Sequence, residues 1–175
     1  MNFIRQHPLL SIFLRISLFQ QRPDELPASL FLFAVLLVIN LIIGVANFLI
    51  DFDIIQSILR TMADLVVSLS FVYLMLLAAN KTSRGLQTMI AMLGVSAILN
   101  CLSFPLLLLL PEVRTEVGAV GVVLYAMFFW HIAIMGHIFR HALSVNLPTG
   151  LMISFAYVLM TMAVFYSLFP AQPVQ

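Results

Sequence analysis

The stretch from Ala28 to Ile50, ASLFLFAVLLVINLIIGVANFLI, holds no charged residue in 23 positions. At about 1.5 Å per helical residue, such a run reaches across the roughly 30 Å hydrocarbon core of a bilayer. Four further apolar runs follow it, at approximately 62–80, 86–110, 118–139 and 149–169. The 175-residue chain is 63% hydrophobic and 9% charged, with a mean hydropathy of +1.13, whereas a water-soluble domain carries about 25% charged residues. Water is therefore not its main solvent. The pattern predicts an all-α polytopic membrane bundle of five transmembrane helices within residues 28–170, followed by a short tail, 171–175.

The joints between the runs carry turn chemistry: RPDELP, DFDIIQSILR, NKTSRG, PEVRTEVG and RHALSVNLP. None is long enough to fold as a separate domain, and no internal repeat suggests a transporter built from duplicated halves. Residues 1–27 form a different kind of segment. Starting a helix at Pro8 puts Leu9, Ile12, Phe13, Ile16 and Phe19 on one face and Ser11, Arg15 and Arg22 opposite. Arg15 interrupts the apolar run and no small-residue cleavage site follows, so the segment reads as a retained amphipathic helix rather than a leader. Two placements suit it equally: in the membrane interface, or packed on the rest of the bundle.

Short-loop lysines and arginines orient the bundle. With the N-terminus in the cytoplasm, that side holds Arg5, Arg15, Arg22, Lys81, Arg84 and Arg140, against Arg60 and Arg114 outside. Asp51, Asp53, Glu112 and Glu116 fall outside, with Asp24 and Glu25 inside. The expected topology is N-in and C-out in a bacterial inner membrane. Arg15, Arg22, Lys81, Arg84 and Arg140 then sit at the level of lipid headgroups.

Unpaired polar side chains are costly in lipid, so those within the spans should face protein. Asn40, Gly44, Asn47 and Asp51 share one helical face of the first span. Asp64 and Ser68 do so in the second, Ser96, Asn100 and Ser103 in the third, and Gly150, Ser154, Tyr157 and Thr161 in the fifth. Such stripes serve interhelical hydrogen bonding or line a hydrophilic groove. Arg60 precedes Asp64 by four residues, which predicts a local ion pair.

The fourth run, FFWHIAIMGHIFRHAL at residues 128–143, places His131 and His137 among apolar residues. Ala119, Ala126 and Ala133, with Gly136 beside the same line, form a small-residue seam. His131 lies about 200° around the helix from Ala133, so the two histidines face different neighbours. The span is then central to the bundle, or keeps one face for a partner or ligand. His137 and His141 have the i, i+4 spacing of a zinc pair, but no third ligand is identifiable nearby, and no second span bears a histidine for haem. Trp130 should be packed rather than lie in an aromatic belt. The one cysteine, Cys101, excludes an intrachain disulfide.

Taken together, HPLLSIFLRI, LPASLFLFAVLL, the late proline of LGVSAILNCLSFPLLLLL and the aromatic-rich fourth span resemble bacterial members of the five-span Yip1-domain superfamily. The acidic-aromatic-Gly-Pro signature of eukaryotic members is absent. The resemblance implies a five-helix membrane fold and no catalytic residue.

No phosphate loop, activated nucleophile or paired acids mark an enzyme, and neither a cofactor nor a metal is expected. Nucleic acid is excluded as a partner, because no soluble basic domain is present. The leading expectation is a non-enzymatic accessory, assembly or scaffolding subunit that associates through its helices with another integral membrane protein or with itself, among membrane lipids. The alternative is a small permease or channel component with a path along Asn40, Asn47, Asp64, Asn100 and His131. His137 joins these as a candidate contact for a ligand or partner.

Overall fold

Among the described residues six helices account for most of the chain: α1 (Pro8–Ser17), α2 (Leu30–Phe48), α3 (Ile54–Ala78), α4 (Gly85–Leu109), α5 (Ala119–Leu143) and α6 (Leu147–Leu168). Single 3-10 turns at Pro23–Glu25 and Thr82–Arg84 lead into α2 and α4. A computed structural model describes residues 8–109 and 118–170, with side chains from Leu10 onward. Arg5, Glu112, Arg114, Glu116, the side chain of Leu9 and the tail 171–175 lie outside the described residues. α2 to α6 are each long and apolar enough to cross a membrane. The protein is an integral membrane protein with an all-helical fold, and no strand occurs among the described residues.

Helix starts follow from capping. Ser29 Oγ accepts from Leu32 N at 3.3 Å to open α2, and Asn146 Oδ1 accepts from Thr149 N at 2.9 Å to open α6. Asp53 caps α3, its carboxylate accepting from the amides of Ile55 and Gln56 at 2.9 and 3.0 Å. This cap starts α3 at Ile54, eight residues before the expected 62. The added turns are polar on one side only, and Ser57 and Thr61 of that side are buried. α5 runs past the expected 139 to Leu143, where Ser144 adopts the left-handed conformation (φ 52°) and ends it.

Packing is uneven along the bundle axis. The helices alternate in direction, so one end gathers the start of α2, the α3–α4 turn and the α5–α6 turn. The other gathers the α2–α3 turn and the end of α6. Phe71, Val72 and Leu76 of α3, Ile90 to Val95 of α4 and Ile134 to Phe139 of α5 are all buried, and all lie in the half toward the α3–α4 turn. On the outer faces of the bundle apolar side chains point outward at both ends, as Phe31 (79% exposed) and Met152 (72%) do in that half and Tyr166 (73%) in the other. Outward apolar faces suit a hydrocarbon solvent.

α5 and α6 make the most intimate pair. A Cβ added at Gly150 would overlap the carbonyl oxygen of Gly136, and one at Gly136 would stand 2.6 Å from Leu151 Cδ2. One turn along, the buried Ser154 donates from Oγ to the Ile132 carbonyl at 2.8 Å. The expected seam is used at Gly136, while Ala119 and Ala126 are exposed. Small residues let the backbones approach only where a partner helix lies opposite.

α1 is amphipathic and its apolar face is seated on protein. Phe13 (4% exposed) and Ile16 (0%) are buried, and the Phe13 ring occupies the space that a side chain at position 94 would need. Trp130 is packed as expected, its Nε1 donating to the Ser17 carbonyl at 3.0 Å. Arg15 and Arg22 are exposed.

An intramembrane polar cavity as the candidate functional site

The sparse half of the bundle encloses a cavity of about 280 Å³. Asn40, Gly44, Asn47 and Phe48 line it from α2, and Thr61, Asp64, Leu65 and Ser68 from α3. α4 supplies Ser96, Asn100 and Ser103, with Met92, Leu93 and Leu107, while α5 contributes His131 and α6 Tyr157. Five helices thus converge on one space. Along α2, α3 and α4 the lining positions run from mid-helix toward the α2–α3 end. Two interhelical hydrogen bonds lie at the opposite end of the cavity, Asn40 Nδ2 to the Leu93 carbonyl at 2.9 Å and Ser68 Oγ to Tyr157 Oη at 2.7 Å. Beyond them lies the dense core, which floors the cavity at that end.

Five of the six residues singled out from sequence as contacts for a ligand or partner, Asn40, Asn47, Asp64, Asn100 and His131, line this one cavity. His137 does not. Its Nε2 lies 3.3 Å from the Gln21 carbonyl, and its ring meets Phe19 edge-on at 5.4 Å between centroids. The two histidines of α5 do face different neighbours: His131 the cavity, His137 the segment that follows α1. His141 stacks edge-on against His137 at 4.6 Å. Among the described residues no group of three histidines, cysteines or acids lies close enough to hold a metal ion.

Hydrogen bonding fixes what the polar walls present. Asn40 Nδ2 donates to both the Leu36 and Leu93 carbonyls, at 2.8 and 2.9 Å, so both amide hydrogens are engaged. Asn47 Nδ2 donates to the Ile43 carbonyl at 2.9 Å, leaving its buried Oδ1 without a partner among the described residues. Thr61 donates to the Ser57 carbonyl at 2.8 Å, and Ser103 to that of Asn100 at 3.1 Å. His131 Nε2 is buried with no hydrogen-bond partner among the described residues.

The expected Arg60–Asp64 ion pair does not form. The Arg60 guanidinium carbon sits 3.9 Å from the centroid of the Phe52 ring and 4.4 Å from that of Phe169, held by cation–π attraction. Its Nε has no hydrogen-bond partner among the described residues. Asp64 is left in the cavity wall with no cation paired to it among the described residues. Spacing of four on one helix permits the pair, but two aromatic rings from the α2–α3 turn and the end of α6 compete for the guanidinium and win. Neither ring is within helical reach in sequence, so no local signal announced them.

The basic residues assigned to headgroups divide. Arg15, Arg22 and Arg140 are exposed. Lys81 Nζ instead donates to the Leu143 carbonyl at 2.6 Å, and Arg84 to the His141 and Ala142 carbonyls and to Ser144 Oγ, at 3.0, 3.3 and 2.9 Å. They satisfy the orphan carbonyls at the C-terminus of α5, where positive charge also complements the helix dipole. Thr61 and Phe48, by contrast, were not singled out as site residues. Thr61 shares the Asp64 face of α3, a signal that the early helix start reveals. None of the known family models, curated proteins or solved structures compared with this chain matches it.

Proposed function

We propose that the protein is a small permease or solute-binding component of the membrane, whose vestibule admits a polar solute at the α2–α3 end and holds it against Asn40, Asn47, Asp64, Asn100 and His131. One observation carries this reading: five helices turn polar residues into one space and leave a carboxylate there without a partner among the described residues. A bundle that used polar stripes only for adhesion would pair them with each other, because an unpartnered polar group is costly in lipid. Helix-mediated association with another membrane protein has no comparable feature in its favour. The N-in orientation, in a bacterial inner membrane, turns the mouth outward. The resemblance to the Yip1-domain superfamily lends the proposal no site residue.

Cysteine accessibility tests it. In a Cys101→Ser background, Asn100→Cys and Ser103→Cys should react with a membrane-impermeant thiol reagent applied from outside. Val95→Cys, in the packed core, should stay inert. An Asn100→Cys thiol as unreactive as that at position 95 refutes a wetted vestibule, and reaction only in inverted vesicles refutes the orientation.

A further inference from the structure

Around Asp64 the vestibule presents mainly hydrogen-bond acceptors. Both Asn40 amide hydrogens are committed to backbone carbonyls, so what that side chain has left to offer is oxygen. The Asn47 amide is anchored through Nδ2, with Oδ1 unpartnered. Thr61 and Ser103 have given their single hydroxyl hydrogens to carbonyls of their own helices and keep only lone pairs. Asp64 adds an unpaired carboxylate. Arg60, four residues before Asp64, is held between Phe52 and Phe169. Free donors remain on Ser96, Asn100 and His131, acceptors outnumber them, and the one formal charge that the described residues place on the wall is negative.

Resting on the vestibule reading above, we propose that the occupant is a small organic cation bearing N–H donors, a primary ammonium with a short apolar body, whose charged head meets Asp64 and the oxygens of Asn40 and Asn47. Size and wall composition agree. At about 30 Å³ per water, the cavity of 280 Å³ corresponds to about nine waters, far more room than a bare alkali ion fills. Phe48, Leu65, Met92 and Leu107 provide an apolar wall for a hydrocarbon body. An anion would meet Asp64 with no compensating cation among the described residues, and a neutral alcohol would leave the carboxylate unpaired.

The test uses the full chain in lipid nanodiscs, with Asn100→Cys in the Cys101→Ser background and the rate of thiol labelling as readout. For a site of about millimolar affinity, about 10 mM n-butylammonium should slow labelling about tenfold, following the factor 1 + [L]/Kd. Equal concentrations of 1-butanol, butyrate or potassium chloride should leave the rate unchanged, and adding Asp64→Asn should remove the protection. Equal protection by butanol or butyrate overturns the cation assignment, as does protection by potassium chloride that butylammonium does not exceed. A thiol that labels freely in every arm also overturns it while leaving the wetted vestibule standing. A thiol that never labels removes the vestibule itself. The probe comparison at native Asp64 decides even if the Asp64→Asn variant does not fold.

Discussion

Gly150→Ala is the smallest change that should separate two helices of this bundle. The added methyl would overlap the Gly136 carbonyl oxygen and stand 3.1 Å from both the backbone nitrogen and Cβ of Arg140, all parts of α5 that no side-chain rotation can move. Ordinary contact begins near 3.4 Å, so α5 and α6 must part by something on the order of an ångström. Overpacking of this kind costs about 1–3 kcal/mol. Parting the helices also stretches the 2.8 Å bond from Ser154 to the Ile132 carbonyl one turn away, and an interhelical bond in a membrane contributes on average about 0.6 kcal/mol. Alanine returns up to about 1 kcal/mol through its better helix propensity. The net loss should be about 1–3 kcal/mol, read as an early thermal melt in mild detergent. Ser154→Ala, which removes the bond without adding bulk, should lose about 1 kcal/mol or less. A Gly150→Ala variant melting with or above the parent refutes the close crossing.

Trp130→Phe keeps the ring but removes the donor to the Ser17 carbonyl, so the segment that follows α1 should become more susceptible to limited proteolysis, while the melting temperature of the five-helix bundle changes little. Protection equal to that of the parent would mean that the buried Phe13 and Ile16 alone hold α1 in place. Reporter fusions at the C-terminus and in the Asn80–Gly85 turn should report opposite sides of the membrane, with the turn cytoplasmic. If both read cytoplasmic, one of α3 to α6 does not cross.

Which parts of this molecule could be read in the sequence follows from which interactions are local. The five spans were legible because a bilayer demands unbroken apolar length from each helix separately. The polar stripes were legible too, since Asn40 and Asn47 share a helical face whatever lies opposite. Local spacing did not reveal the start of α3: Gln56, Ser57, Arg60 and Thr61 look like loop residues until Asp53 is recognised as a cap and the buried side of the helix is known. The Arg60–Asp64 pair was a sound local inference defeated by Phe52 and Phe169, whose approach depends on the tertiary path of α6. Lys81 and Arg84 resembled headgroup anchors because the carbonyls they satisfy belong to α5, some 60 residues away. That four stripes and His131 would converge was beyond periodicity altogether, because periodicity assigns a face to each helix but no neighbour to each face.

The unequal packing of the two halves has a mechanical corollary. Ile90 to Val95 and Ile134 to Phe139 lock α4 and α5 together on one side of the membrane, and interlocked side chains of this density resist deformation. The opposite half is held more sparsely, chiefly by the stacked Phe48 and Phe165 and by Arg60 between Phe52 and Phe169. The tightly packed half is therefore a fulcrum and the helix segments beyond it are lever arms. Ten residues beyond it, at about 1.5 Å each, an arm extends about 15 Å, and a tilt of about 10° carries its tip through nearly 3 Å, roughly the diameter of a water molecule. Rocking that small would widen or narrow the mouth while the Asn40–Leu93 bond stayed almost still, so the aperture can change without the floor giving way.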